Sequence, residues 1–305
     1  MARRRSVLHR VLDALEGAVL HALFVLARAV PVDAASAAGG WLARTIGPWL
    51  PVSETGRRNL RRAFPELDEA DIERILRGVW DNLGRTVAEY PHLRKIWDYT
   101  PEKPKENGRI TVVGVEQFAA LRDGGKPAII FSAHLGNWEL LPLAATRHGL
   151  PLGVLFRPPN NPHAASLVKR IRAEAHGRED GLLPSGVEGA LAAVELLEKG
   201  THLGMLVDQR FRRGVLVPFF GRPAQTATVL AKLARRFNCP VHGARVERLG
   251  GVRFKVSLTP ALDLPRTDDA DADIAETMRL VTATIEEWVR ERPDQWLWLH
   301  RRWKD

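Results

Sequence analysis

The residues with the clearest chemical potential are His134 and Glu139, five positions apart within Ala128 to Leu143, AIIFSAHLGNWELLPL. Imidazole titrates near neutral pH, and a carboxylate hydrogen-bonded to one ring nitrogen leaves the other as a base. The spacing alone says little, because His242 with Glu247 and His300 with Asp305 share it. On a continuous helix positions i and i+5 lie about 140° apart and do not meet. At a strand-to-helix junction they can, and the flanks of His134 predict one. Ala128 to Phe131 is apolar and partly β-branched, as in a buried strand, while Trp138 to Gly149 carries apolar residues at helical spacing. A histidine at such a junction faces the crevice at the end of a sheet, where ligands of α/β proteins bind. The pair at His242 lies in a strand-like stretch, where an offset of five puts the side chains on opposite faces.

Two other chemistries are disfavoured. Ser132 has no Gly-x-Ser-x-Gly elbow around it, as a serine hydrolase needs. Gly124-Gly125-Lys126 is followed by proline, which excludes a P-loop.

The elements that must position the junction alternate. After a polar linker, Thr100 to Gly108, strands are expected at Ile110–Val115, Pro151–Arg157, Leu182–Pro184 and His202–Val207. Helices are expected at Glu116–Arg122, Ala164–His176 and Val187–Lys199. Val215–Phe220 is apolar, Gly221–Ala224 reads as a turn and Thr226–Phe237 as a helix. Pro240–Leu249 and Val252–Leu258 read as a hairpin at the sheet edge, turning at Gly250-Gly251. Asp273–Arg290 is a closing helix. Upstream, Asp68 to Tyr90 is an amphipathic helix, and Arg57, Arg58, Arg61 and Arg62 before it read as a solvated face. Residues 1–32 form a mostly apolar helix stopped by Pro31. Glu16, His21 and Arg28 interrupt it, so it falls short of the ~20 clean apolar residues of a spanning helix. With Trp41 to Leu50 it makes residues 1–50 membrane-associating, and residues 51–305 the main domain.

Composition is consistent with that picture. The 305 residues suffice for one large α/β domain, and 45 basic against 36 acidic residues give a net charge of +9, which favours anionic partners: nucleic acid, acidic lipid, phosphorylated substrates or an acidic carrier protein. Nine tryptophans against two tyrosines suit a membrane interface. Cys239 is the only cysteine, so there is no intrachain disulfide or thiolate metal cluster. A basic membrane- or nucleic-acid-binding module would explain the charge and the tryptophans. It would not explain a buried strand ending at a histidine and an acid.

From about Arg57 to Lys304 the chain resembles the bacterial lipid A biosynthesis acyltransferases, the late lauroyl/myristoyl transferases of the lysophospholipid acyltransferase superfamily. The similarity is carried by RRNLRRAFPE, GKPAIIFSAHLGNWELLPLA, FRPPNNP, LVDQR, VPFFGRPAQTAT and PDQWLWLHRRWK. The Pro-Glu-Gly signature of the glycerolipid branch is absent, which argues against a simple glycerophospholipid acceptor. A phosphatidylinositol mannoside or another glycolipid is the rival acceptor.

The resemblance implies an α/β fold with a central mixed β-sheet flanked by helices. It also implies acyl transfer from acyl carrier protein to a hydroxyl of a lipid A precursor, at the cytoplasmic face of the inner membrane, without metal or other cofactor and without nucleic acid. His134 is then the general base, assisted by Glu139 or by Asp208 at the end of a later strand, whose geometric claim is at least as good. Arg172, with Arg170 as its close competitor, matches the basic residue after the Asn-Asn-Pro turn. Arg157 and Arg172 are expected to clamp phosphates. The backbone N–H groups around Leu135, Gly136 and Asn137 are expected to form the oxyanion hole, with Asn137 at the substrate. Trp296, Trp298 and Trp303 read as packing residues.

Overall fold

The computed structural model describes residues 7–156, 161–176, 181–184 and 186–304. Five helices come first: α1 (Val7–Ala29), α2 (Val32–Ile46), α3 (Ser53–Ala63), α4 (Glu69–Glu89) and α5 (Leu93–Ile96). The break between α1 and α2 falls at Pro31, which has no N–H to continue a helix. Helix α4 begins where Asp68 accepts a hydrogen bond from the Asp71 amide at 2.8 Å, a cap worth about 1 kcal/mol. It buries Ile72, Ile75, Leu76 and Val79, an i, i+3, i+4, i+7 stripe, and gives way at Tyr90-Pro91. Helices α2 and α4 cross in backbone contact: a Cβ on Gly39 would stand 2.6 Å from the Gly84 carbonyl oxygen, and one on Gly84 2.2 Å from that of Gly39.

Strands and helices then alternate: β1 (Ile110–Val113), α6 (Val115–Asp123), β2 (Ile129–Ser132), α7 (Leu140–Arg147), β3 (Leu152–Phe156), α8 (Pro162–His176), β4 (Leu182–Pro184), α9 (Val187–Glu198), β5 (His202–Leu206), β6 (Val215–Phe219), β7 (Arg222–Thr226), α10 (Val229–Phe237), β8 (Val241–Gly250), β9 (Arg253–Ala261) and α11 (Ala270–Glu291). Among the described residues, seven strands form one mixed sheet in the order β1-β9-β8-β2-β5-β3-β4, in which only the β8–β9 pair is antiparallel. Strand β2 lies at its centre with Ile129 and Phe131 fully buried, which is why it reads as an apolar run rather than an alternating one. Phe131 stacks on Trp288 of α11 at 5.8 Å on one face; α7 and α8 pack together over the other, against the cleft described below.

Four expectations are corrected. The β8–β9 hairpin is not the sheet edge, because β1 pairs in parallel with the outer side of β9, Ile110 opposite Phe254. Nothing local in a four-residue strand says where it docks. Gly221–Ala224 is not simply a turn: Phe220 (φ 52°) and Gly221 (φ 67°) make the reversal, and Arg222–Thr226 is a second strand pairing with β6 apart from the main sheet. Positive φ at both central residues matches the twist of a two-residue hairpin. The helix expected from Thr226 therefore starts at Val229. The helix expected from Trp138 starts at Leu140, leaving Trp138 and Glu139 in the turn before it.

Candidate active site

His134 stands two residues past the end of β2, and Asp208 two residues past the end of β5. The strands are parallel neighbours with Ser132 opposite Leu206, so the same register carried past the sheet sets histidine against aspartate. His134 Nδ1 and Asp208 Oδ1 are 2.9 Å apart, and the His134 backbone amide donates to Oδ2 at 2.9 Å. The indole N–H of Trp296 donates to the same oxygen at 2.8 Å. An ionised carboxylate accepts from all three, so Nδ1 carries the proton and Nε2 the free lone pair. Burial opposes charge on both groups. The Asp208 charge and hydrogen bond outweigh it at His134, whose pKa is raised above the ordinary value. His134 in turn holds the Asp208 carboxyl well below the usual range.

Glu139 takes a different partner. It is 1% exposed and receives Arg172 of α8 in a two-pronged pair, Nε to Oε2 at 2.8 Å and Nη2 to Oε1, with the Trp138 indole N–H adding a bond at 2.9 Å. Despite its burial, the Arg172 guanidinium is held charged by Glu139, its pKa above the arginine norm, and it lies 4.2 Å over the Phe156 ring. Tyr90 adjoins the pair; burial first, then the Glu139 charge, keep its hydroxyl protonated far above its ordinary pKa.

His134, Glu139, Arg172 and Tyr90 share one cavity of about 590 Å³, within the range of ligand pockets. His134, Trp138, Glu139, Tyr90, Arg172 and Gln209 supply its polar wall. Ile130, Leu152, Val154, Leu182, Met205 and Val168 supply an apolar one. The apolar wall follows the sheet face under α7 and α8, since Ile130, Gly204 and Val154 stand side by side in register. At about 3.3 Å per residue it recedes from His134 by roughly 13 Å to the level of Ile130.

The turn after β2 removes two of the three amides expected at the oxyanion hole. The Leu135 N–H is spent on the Ala133 carbonyl at 2.7 Å and the Gly136 N–H on the Gln295 carbonyl at 3.2 Å. Gly136 has φ +58°, and a Cβ there would lie 2.2 Å from the Val246 carbonyl oxygen. Asn137 is fully buried, does not line the cavity, and donates its amide to Glu89 Oε2 at 2.8 Å. Arg170 faces α1 instead, 3.3 Å from the His21 ring. Arg157 lies outside the described residues. Arg57 and Arg61 are ion-paired with Glu73 and Glu69. Among the described residues, no three histidine, cysteine or acidic side chains stand close enough to hold a metal ion.

Trp296 was legible only as packing. Its indole N–H, a donor that usually finds a partner when buried, was the available clue. Tyr90 and Gln209 gave no signal beyond adjacency, Gln209 following Asp208 directly. Residues Gln295 to Leu297 also brace the turn as a short strap: Leu135 bridges Trp296, and the Leu297 N–H donates to the His134 carbonyl at 3.1 Å.

On the surface, Leu12, Leu15, Val19, Leu23, Val25, Leu26 and Val30 of the α1 region are exposed, as are Trp41, Leu42, Ile46, Trp49, Leu50 and Val52. No helix among the described residues is long and apolar enough to cross a membrane.

The family profile described as bacterial lipid A biosynthesis acyltransferase matches residues 4–305. The chain is 26% identical over 255 residues to the lipid A biosynthesis lauroyltransferase of Escherichia coli K12, covering 81% of this chain and 77% of the relative. It is 23% identical over 266 residues to the palmitoleoyltransferase of the same organism, covering 84% and 80%. To the lipid A biosynthesis acyltransferase of Haemophilus influenzae it is 24% identical over 270 residues, covering 87% and 81%.

Proposed function

Because the chain belongs to the bacterial lipid A biosynthesis acyltransferase family, and so is an acyltransferase, we propose that it moves a fatty acyl chain from acyl carrier protein to a hydroxyl of a lipid A precursor, with His134 as general base. The observation that carries this reading is a histidine with one nitrogen fixed by a buried carboxylate, set at the head of a long apolar cleft.

The acceptor hydroxyl gives its proton to His134 Nε2 as its oxygen attacks the thioester carbonyl. The tetrahedral oxyanion collapses, the C–S bond breaks, and the imidazolium returns the proton to the leaving thiolate. Asp208 keeps the tautomer and stabilises the imidazolium, the role an aspartate plays beside a catalytic histidine. With the Leu135 and Gly136 amides spent and the Tyr90 hydroxyl bonded to Glu139, the Gln209 amide lining the cleft is the oxyanion donor. Arg172, oriented by Glu139, is the cation for an anionic substrate group. The acyl chain lies along the β2–β5–β3 face.

Residues 1–50 are read as the membrane-associating part and residues 51–305 as the catalytic part, working at the cytoplasmic face of the inner membrane. Exposed apolar side chains on this scale are costly in water, and the stripe they form, on a chain of net charge +9, suits an anionic bilayer surface.

The test is reconstitution: purified protein, acyl-carrier thioester and a lipid A precursor in vesicles, with products read by mass spectrometry. Transfer is expected from wild type and a loss of about 10²–10⁴-fold from His134→Ala at equal folded protein. Transfer by His134→Ala within about threefold of wild type would falsify the general-base assignment.

A further inference from the structure

The turn that carries His134 is held from behind by a buried ion pair that is not part of the cleft. Arg248 of β8 and Glu89 at the end of α4 are 5% and 0% exposed, and neither lines the cavity. The guanidinium spans both carboxylate oxygens, Nη1 to Oε1 at 2.5 Å and Nη2 to Oε2 at 3.0 Å.

Most of the pair's other bonds are directed at the turn. Arg248 Nε donates to Asn82 Oδ1 at 2.8 Å and Nη2 to Thr86 Oγ1 at 3.2 Å. Asn82 Nδ2 and Thr86 Oγ1 donate in their turn to one acceptor, the Gly136 carbonyl, at 3.0 and 3.2 Å. Glu89 holds the Asn137 side chain at 2.8 Å. Gln295 closes the ring, exchanging bonds of 2.8 and 2.9 Å with the Arg248 main chain while its carbonyl accepts the Gly136 N–H.

Stability does not account for two charges in this place. Burying an ion pair costs desolvation on both sides, and replacing such a pair by apolar residues of similar volume is often neutral or stabilising. What an apolar pair lacks is the ability to aim two relayed donors at one carbonyl. That carbonyl belongs to the residue whose left-handed conformation turns the chain back over β8, two positions from the imidazole.

We propose that Glu89 and Arg248 are positioning residues for the acyl transfer, fixing Gly136 and Asn137 so that the His134 ring keeps its bond to Asp208. The inference rests on His134 acting as the base.

The test compares wild type with the neutral double variant Glu89→Gln/Arg248→Met and with two milder variants, Thr86→Val and Asn137→Ala, which remove single ties to the turn. Each is assayed for kcat, for the KM of donor and acceptor, and for thermal unfolding. A misplacement of about 1 Å in a catalytic group costs roughly 10²-fold. The expected result is therefore a kcat lowered by about that factor in the double variant, with both KM values nearly unchanged and an unfolding midpoint at or above wild type. A folded double variant with wild-type kcat, or a loss that only tracks the folded fraction, overturns the proposal. Should the double variant fail to fold, Thr86→Val and Asn137→Ala decide by the same readout: lowered kcat at equal folded protein supports it, wild-type kcat overturns it. His134→Ala in the same assay separates the two readings, because an inactive His134→Ala beside fully active network variants sinks only the positioning role.

Discussion

Asp208→Asn is the sharpest perturbation of the site, because its geometry predicts the direction of every hydrogen bond. The carboxylate receives two N–H groups at Oδ2, from the His134 backbone and Trp296, and faces the ring Nδ1 with Oδ1. An asparagine must keep its carbonyl oxygen at the two-donor end, since the opposite orientation would set its NH₂ against two N–H groups. The NH₂ then points at Nδ1, which becomes an acceptor, and the ring proton moves to Nε2, the nitrogen needed as base. The expected loss is that of the general base, about 10²–10⁴-fold in kcat, or about 3–5 kcal/mol of transition-state stabilisation, with the acceptor KM little changed. The pH profile carries an independent sign. His134 works as the neutral ring, so wild-type kcat/KM falls as pH drops through its raised pKa, placing the acid limb above the ordinary value of 6.5. Without the carboxylate that limb moves to lower pH. His300, pushed down to about 4 by burial, stays neutral across the range and does not obscure the limb. Steady-state kinetics from pH 5 to 9 on wild type and variant read both effects. A kcat within about threefold of wild type, or an unmoved limb, refutes the carboxylate-assisted base.

Three further outcomes are expected. Glu139→Gln leaves the Arg172 cation buried beside a neutral amide, so unfolding should lose about 3–5 kcal/mol and substrate KM should rise while kcat per folded molecule is largely kept; denaturant melts with kinetics check this. Gly204→Val should shift the products toward shorter acyl chains, because a Cβ at Gly204 already meets Val154 and Leu152 at 3.4 and 3.5 Å on the cleft wall, and mass spectrometry of products from mixed acyl donors reads the shift. Removing residues 1–32 should weaken but not abolish binding to anionic vesicles, with salt releasing the remainder; sedimentation at low and high ionic strength reports it, and full release at low ionic strength would contradict a second attachment.

Much of the sheet could be read from local pattern. Strands β2 and β5 lie within a residue or two of their expected bounds because a central parallel strand is apolar on both faces. Local pattern does not decide which acid serves His134, because the answer lies in register: Asp208 is 74 residues away in sequence and adjacent only once β2 and β5 pair. The arrangement around Arg248 was invisible for a related reason. Its partner Glu89 is 159 residues distant, and on paper a buried arginine looks like one of the many that face water. Glu139 shows the converse, a motif neighbour of His134 whose carboxylate is claimed by Arg172 from across the cleft. The docking of β1 beyond β9 could not be read for want of any local signal in so short a strand.

The strap formed by Gln295 to Leu297 gives the site a place in time. A chain extended on the ribosome as far as Glu291 already contains every strand of the sheet, the exposed stripe of α1 and α2, and both His134 and Asp208. It lacks the Gln295 carbonyl that takes the Gly136 N–H, the Leu297 amide that takes the His134 carbonyl and the Trp296 indole that steadies Asp208. On the membrane-associating reading of residues 1–50 proposed above, lipid contact through α1 can precede competence. A chain ending at Arg292 is accordingly expected to sediment with vesicles as wild type does and to show no transfer above background, and transfer at the wild-type rate would remove the strap from the chemistry.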